Sequence, residues 1–132
     1  MTTSTLKSLG SEAVTQGIRI RVQPGYRDSH SDPEGGRFLF TYHITIVNES
    51  DCRVRLRSRA WIVVDADGQR HEVNGPGVVG QHPSLAPGEQ FEYSSYCPLS
   101  TSWGTMEGHF DFEREDGSTL EAQIARFYFA ST

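Results

Sequence analysis

Gly75-Pro76-Gly77-Val78-Val79-Gly80-Gln81-His82-Pro83-Ser84-Leu85-Ala86-Pro87-Gly88 is the segment on which the reading of this chain turns. Gly75, Gly77 and Gly80 have the G-x-G-x-x-G spacing that, at the start of a helix, lets backbone approach a pyrophosphate. No helix can follow. Pro83 and Pro87 remove backbone donors and turn the residues before them away from helical conformation. No carboxylate stands about 20 residues further on to hold a ribose. The spacing therefore fails as a dinucleotide fingerprint. The segment reads as a long, stiff connection between strands, with glycines placed for positive φ or tight packing and Val78 and Val79 pinning its middle. A nest of backbone N–H groups that catches an anion without a helix is the alternative.

The flanking sequence alternates with period two. Phe38, Phe40, Tyr42, Ile44 and Ile46 share one face of residues 37–48, which predicts a central strand. Ile18, Ile20 and Val22 do the same for an earlier, half-buried strand, and Val54 and Leu56 alternate with Arg53, Arg55, Arg57 and Arg59. The run Trp61-Ile62-Val63-Val64 is apolar on both parities, so either that strand is covered on both sides or a bulge shifts its register. Asp65–Gly68 and Glu115–Gly117 read as hairpin turns. Phe91 and Tyr93, then Met106, Phe110 and Phe112, then Leu120, Ala122 and Ile124, mark the last three strands. Seven or eight short strands with no segment of helical period predict an all-β, two-sheet antiparallel sandwich of immunoglobulin-like kind. Residues 1–14 are expected to be a flexible tail and residues 15–130 the domain.

The bulk numbers bound the function. The 132 residues suffice for one domain with its own core. Aromatic content of 11% with 13 glycines and 6 prolines suits a turn-rich β domain. A net charge of −5 argues against a general nucleic-acid or anionic-membrane partner. With no apolar run of about 20 residues and no apolar segment in residues 1–10, a cytoplasmic protein without a membrane segment is expected. Cys52 and Cys97 lack metal-type spacing and are expected to stay reduced.

Four arginines on one strand face, roughly 7 Å apart, could form an anion-binding stripe. The row Asp111, Glu113, Glu115 has matching parity on a later strand, and in such a sandwich the two strands are neighbours, so cross-strand neutralisation is the favoured reading. None of the five histidines has metal-type spacing; His30 and His82, both in loops, are the best placed to meet. Asp28, Asp32 and Glu34 match no EF-hand loop. Ser94 and Ser95 sit in no nucleophile elbow, so no catalytic residue, cofactor or metal set is expected.

Several blocks in order carry a resemblance. They are Leu56-Arg57-Ser58-Arg59-Ala60-Trp61, then residues 75–83, Leu85-Ala86-Pro87-Gly88 with Phe91, Tyr93 and Ser95, and Gly104-Thr105-Met106 with Gly108. Together they resemble the bacterial ApaG family across residues 15–130; Tyr96 and Trp103 depart from its pattern. The resemblance implies a fibronectin type III-like sandwich and a genetic association with cobalt resistance and magnesium efflux. It implies, too, a relation to domains of eukaryotic F-box and DNA-polymerase-interacting proteins that mediate protein contacts, and no established enzyme activity. The expected function is a non-catalytic module that binds a protein partner through Gly75, Gly77, Val78, Val79, Gly80, His82 and Pro83 together with Arg57, Arg59 and Trp61. The alternatives are a phosphate, pyrophosphate or nucleotide site on the glycine-rich loop, with a small anion as ligand, and direct binding of Co²⁺ or Mg²⁺.

Overall fold

The strongest alternation in the chain is a strand: Phe40, Tyr42, Ile44 and Ile46 are buried on one face of Phe38–Asn48. The structure is a computed structural model that describes residues 9–131. Nine strands occur in the described residues: β1 (Ser11–Thr15), β2 (Ile18–Tyr26), β3 (Phe38–Asn48), β4 (Val54–Asp65), β5 (Arg70–Pro76), β6 (Ser84–Leu85), β7 (Gln90–Leu99), β8 (Trp103–Arg114) and β9 (Thr119–Ala130). Two of them, β1 and the two-residue β6, are not among the strands read from the sequence. Ser11–Val14 therefore lie in a strand, inside the segment expected to be a tail, and residues 1–8 lie outside the described residues. No side chain of β1 is buried, so apolar alternation could not reveal it.

All pairings are antiparallel. One sheet has the order β1-β2-β3-β7; the other has β5-β4-β8-β9, with β6 beside β4. This is the predicted two-layer sandwich, and β3, expected to be central, is interior to its sheet. The core between the layers is aromatic. Trp61 meets Tyr42, Phe110 and Phe127 edge-on at 5.5, 6.0 and 6.0 Å between ring centres, and Phe40 stacks on Phe129 at 5.0 Å. Edge-on pairs of this kind add about 0.5–1.5 kcal/mol beyond the area they bury.

Two bulges set which residues reach this core. In β4, Leu56 pairs with Phe112 and Ser58 with Asp111, so Arg57 is an extra residue. The inward parity changes there from Val54 and Leu56 to Trp61 and Val63. Of the two readings of 61–64, the bulge is correct. In β9 the shift between Ile124 and Phe127 likewise brings both into the core. Gly108 pairs with Trp61, and a Cβ there would overlap the Ala60 carbonyl oxygen, so only glycine lets β8 lie this close to β4.

The flanks of the sandwich differ. Between β1 and β9, Ser11 Oγ donates to the Ala125 carbonyl at 2.6 Å and Gln123 N–H donates to Thr15 Oγ1 at 3.1 Å. No hydrogen bond joins β5 to β7 among the described residues, and this flank stays open.

Asn48, fully buried, has no unmet demand: its amide donates to the Cys52 and Leu85 carbonyls, both at 2.9 Å, and its oxygen accepts from Ser50 N–H and Oγ. Buried polar groups persist when paired in this way.

Gly108→Ala is expected to destabilise the fold by about 1–3 kcal/mol or more, as overpacking against backbone does; chemical denaturation of the variant checks this. A second expectation concerns pH. Hydrogen bonds from Arg21 and Arg19 hold the Glu12 carboxyl below its ordinary range, and Arg19 does the same to Glu49. A carboxylate with a depressed folded-state pKa stabilises above its unfolded value and loses that contribution as pH falls through the folded one. The melting temperature should therefore drop on acidification through the carboxylate range, and Arg19→Gln should flatten part of that slope.

Candidate functional site

The Gly-Pro segment occupies a gap in a sheet. β5 pairs with residues 58–64 of β4 and β6 with residues 54–55, which leaves the bulged residues Leu56 and Arg57 without a strand neighbour on that side. Residues 77–83 supply the missing partners. Leu56 N–H donates to the Pro83 carbonyl at 3.0 Å, Gly77 N–H donates to the Arg57 carbonyl at 2.9 Å, and His82 Nδ1 lies 3.2 Å from the Leu56 carbonyl. Arg59 adds two bonds, from Nη1 to the carbonyls of Pro76 at 3.0 Å and Gly77 at 2.9 Å. The glycines thus serve docking. Gly75 lies against the Arg59 guanidinium, and Gly77, at φ +62°, faces the Gln81 carbonyl so closely that a Cβ would collide with it. No helix follows the segment.

Its extent differs from expectation, because Gly75 and Pro76 end β5 and Ser84–Leu85 forms β6. The two valines also differ from each other. Val78 is fully buried and pins the loop, while Val79 stands 51% exposed at its tip. The tip is a two-residue hairpin. Val78 and Gln81 exchange both backbone hydrogen bonds, at 2.9 and 2.8 Å, around Val79 at φ +43° and Gly80 at φ +78°. Positive φ at both central positions is the conformation for which Asn-Gly is the usual sequence, and a β-branched residue is rarely held there. With the amides of Gly77, Val78 and Gln81 already donating within the protein, little of a nest is left for an anion.

The arginine row is broken by the bulge. Arg55 sits opposite Glu113 and Arg57 Nη1 lies 3.4 Å from the Glu113 carboxylate, so neutralisation holds for that pair. Arg53 uses its backbone N–H on Glu115, at 3.1 Å. Asp111 accepts from Ser58 Oγ at 2.7 Å and meets no arginine. Arg59, past the bulge, has the inward parity of Trp61 and pairs with no carboxylate among the described residues.

Arg59, Trp61, Val78 and Val79 come together around a cleft of about 410 Å³ between β5 and β7, on the open flank. Tyr42, Val63, Met106 and Leu99 line its apolar interior, and Val73, Tyr93, Tyr96 and His71 are among its other walls. Val73 and Tyr96 are 46% and 59% exposed, so with Val79 they leave apolar surface at the mouth. Burial raises the Tyr93 hydroxyl well above its ordinary pKa and raises Tyr42 too, so both stay protonated. Burial also pushes the Cys97 thiol up to about 11, which makes it inert rather than nucleophilic. Trp61 Nε1 and Tyr93 Oη, both buried, have no hydrogen-bond partner among the described residues.

Of the expected contact residues, Gly75, Gly77, Gly80, His82, Pro83 and Arg57 hold the loop to β4 or shape it and do not line the cleft. Tyr42, Val73, Tyr93 and Tyr96 escaped sequence reasoning as site residues, since on parity alone an aromatic row reads as core. The edge positions of β5 and β7 are the signal that marks Val73, Tyr93 and Tyr96, and they exist only in the folded sheets.

Among the described residues the loops bring no group of metal ligands together. Asp32 accepts from Gly35 N–H at 3.2 Å and pairs with Arg37 at 3.2 Å, while His30 and His82 lie against different surroundings. Across β8 and β9, His109, Asp111 and Glu121 do converge, with ligand atoms within 4.8 Å of one another. They pair internally, His109 with Glu121 at 3.2 Å and with Asp111 at 3.6 Å. Both cysteines are free thiols, and no helix among the described residues is long and apolar enough to cross a membrane.

A family model described as the ApaG domain matches residues 28–114. The chain is 50% identical to Protein ApaG of Anaeromyxobacter dehalogenans (strain 2CP-C) over 117 residues, 89% of this chain and 92% of that one. It is 48% identical to Protein ApaG of Brucella anthropi over 115 residues, 87% and 88% of the two chains. A crystal structure described as that of an ApaA protein from Bordetella pertussis superposes with a TM-score of 0.84 at 42% identity, covering 86% of this chain and 92% of that one.

Gly77→Ala is expected to undock the loop, because the new Cβ meets the Gln81 carbonyl and the backbone is left-handed there. Amide exchange of Leu56 and Gly77 should quicken by more than that of the β3 core in the variant.

Proposed function

The chain belongs to the ApaG family, and on that footing we propose that it is a non-catalytic, cytoplasmic binding module. It recognises a protein partner with the apolar rim of Val73, Val79 and Tyr96, and its link to Co²⁺ and Mg²⁺ homeostasis runs through that partner. The observation that carries this reading is Val79. A β-branched residue held in the left-handed region costs of order 1–3 kcal/mol, a cost an Asn-Gly tip would largely avoid. Yet the valine is half exposed, so burial does not recover that cost.

Two further features support the reading. The rim residues sit on edge strands and on a loop tied to β4 by backbone bonds, and such stiff presentation limits the entropy lost on binding. Tyr96, 59% exposed at the rim of a recess, is the kind of side chain that anchors protein contacts.

Val79→Asn tests it. The variant should melt a few degrees higher, as relief of about 1 kcal/mol of strain would give. Capture of partner by immobilised protein should fall roughly tenfold, the loss expected of one apolar anchor. Undiminished capture by the more stable variant would remove the proposal.

A further inference from the structure

We infer that the cleft between β5 and β7 is a binding site for a small apolar carboxylate, an aromatic or branched acid about the size of phenylacetate. This goes beyond recognition of a protein partner and does not depend on it, since the ligand would bind the isolated domain.

The cleft has the properties of a built pocket. Its volume of about 410 Å³ lies within the range of small-molecule sites, roughly 300–1,000 Å³. Its walls are chiefly apolar: Tyr42, Trp61, Val63, Val78, Leu99 and Met106. Those walls demand an apolar body in the ligand.

The polar groups demand an anion or a strong acceptor. Arg59 is the one guanidinium that lines the cleft, and no aspartate or glutamate lines it. Its Nη1 is held by the Pro76 and Gly77 carbonyls, which fixes the guanidinium in place without neutralising it. Trp61 and Tyr93 are 2% and 8% exposed, and Trp61 Nε1 and Tyr93 Oη have no partner among the described residues. Buried donors without partners are rare enough in native proteins to need a reason; both belong to residues that line the cleft, and a side-chain shift that lets a ligand's acceptor reach them provides one. A single cation also selects the charge. A carboxylate matches one guanidinium, whereas a nucleotide's phosphates would bring several charges to a chain whose net charge is −5.

The test is titration of the isotope-labelled full chain with sodium phenylacetate, read by NMR. Trp61 and Trp103 each give one indole N–H signal, assigned with Trp103→Phe. The Trp61 signal and the Val78 and Val79 amides should move saturably while Trp103 stays. Phenylacetamide, equal in shape but uncharged, should bind roughly tenfold more weakly, the difference a charge-assisted contact makes, and Arg59→Gln should erase that preference. Because Arg59 also holds the loop, a second variant guards the result. Val73→Trp, on the cleft-facing side of β5 at the exposed mouth, should close the mouth and weaken phenylacetate roughly tenfold without lowering the melting temperature. Absence of saturable movement at Trp61 overturns the inference. So do equal affinities for acid and amide, or unchanged affinity in Val73→Trp. Loss of partner capture by Val79→Asn bears on neither result, so the two readings can fail separately.

Discussion

One extra residue in β4 decides what this sandwich can do. A strand that carried the Val54–Leu56 parity forward would send Arg59 and Trp61 to solvent on the outer face. The bulge at Arg57 exchanges the faces, so the indole enters the core and the guanidinium comes to its edge. The same kink spreads the partners of β4 apart, β5 on one side of it and β6 on the other. The glycine and proline residues of the connection between them complete the backbone hydrogen bonding that neither strand reaches. Gly108 permits the arrangement from across the sheet by leaving room for the Ala60 carbonyl.

The cleft follows from how the two sheets are joined. Hydroxyls of β1 tie one flank to β9, and the aromatic side chains fill the centre. At the other flank the last pair of edge strands diverges around Tyr93, Tyr96 and Val73. The interior of the sandwich thereby meets the surface there, next to the strained hairpin tip. Rigidity and access coincide there, which is the combination a recognition surface needs.

Electrostatics work locally in this molecule. Arg19 bridges Glu12 at 2.5 Å and Glu49 at 2.8 Å, tying β1 and β2 to the turn after β3, while Arg57 meets Glu113 across the β4 and β8 pair. These exposed pairs contribute little each. Their consequence is to leave Arg59 as the cation of the row that lies toward the interior with no carboxylate beside it among the described residues.

Much of the fold was legible because strand burial has period two. Ile18 to Val22, Phe40 to Ile46 and Phe110 to Phe112 declare their inner faces directly, and Pro83 and Pro87 forbid the helix a phosphate site would need. β1 was hidden because it contributes hydrogen bonds and no buried side chain. The site was only half legible. Arg59, Trp61, Val78 and Val79 stood in the segments singled out, yet the parity of a four-arginine row assigned Arg59 to the wrong face, and no rule of composition distinguishes buried Val78 from exposed Val79. Bulges, edge positions and the side on which two sheets part arise from pairing between distant strands. Local sequence therefore determined where the core strands lie and which face each presents as far as a bulge, while contacts between strands far apart in the chain decided where the bulges fall, where the layers stay open and which side chains meet there.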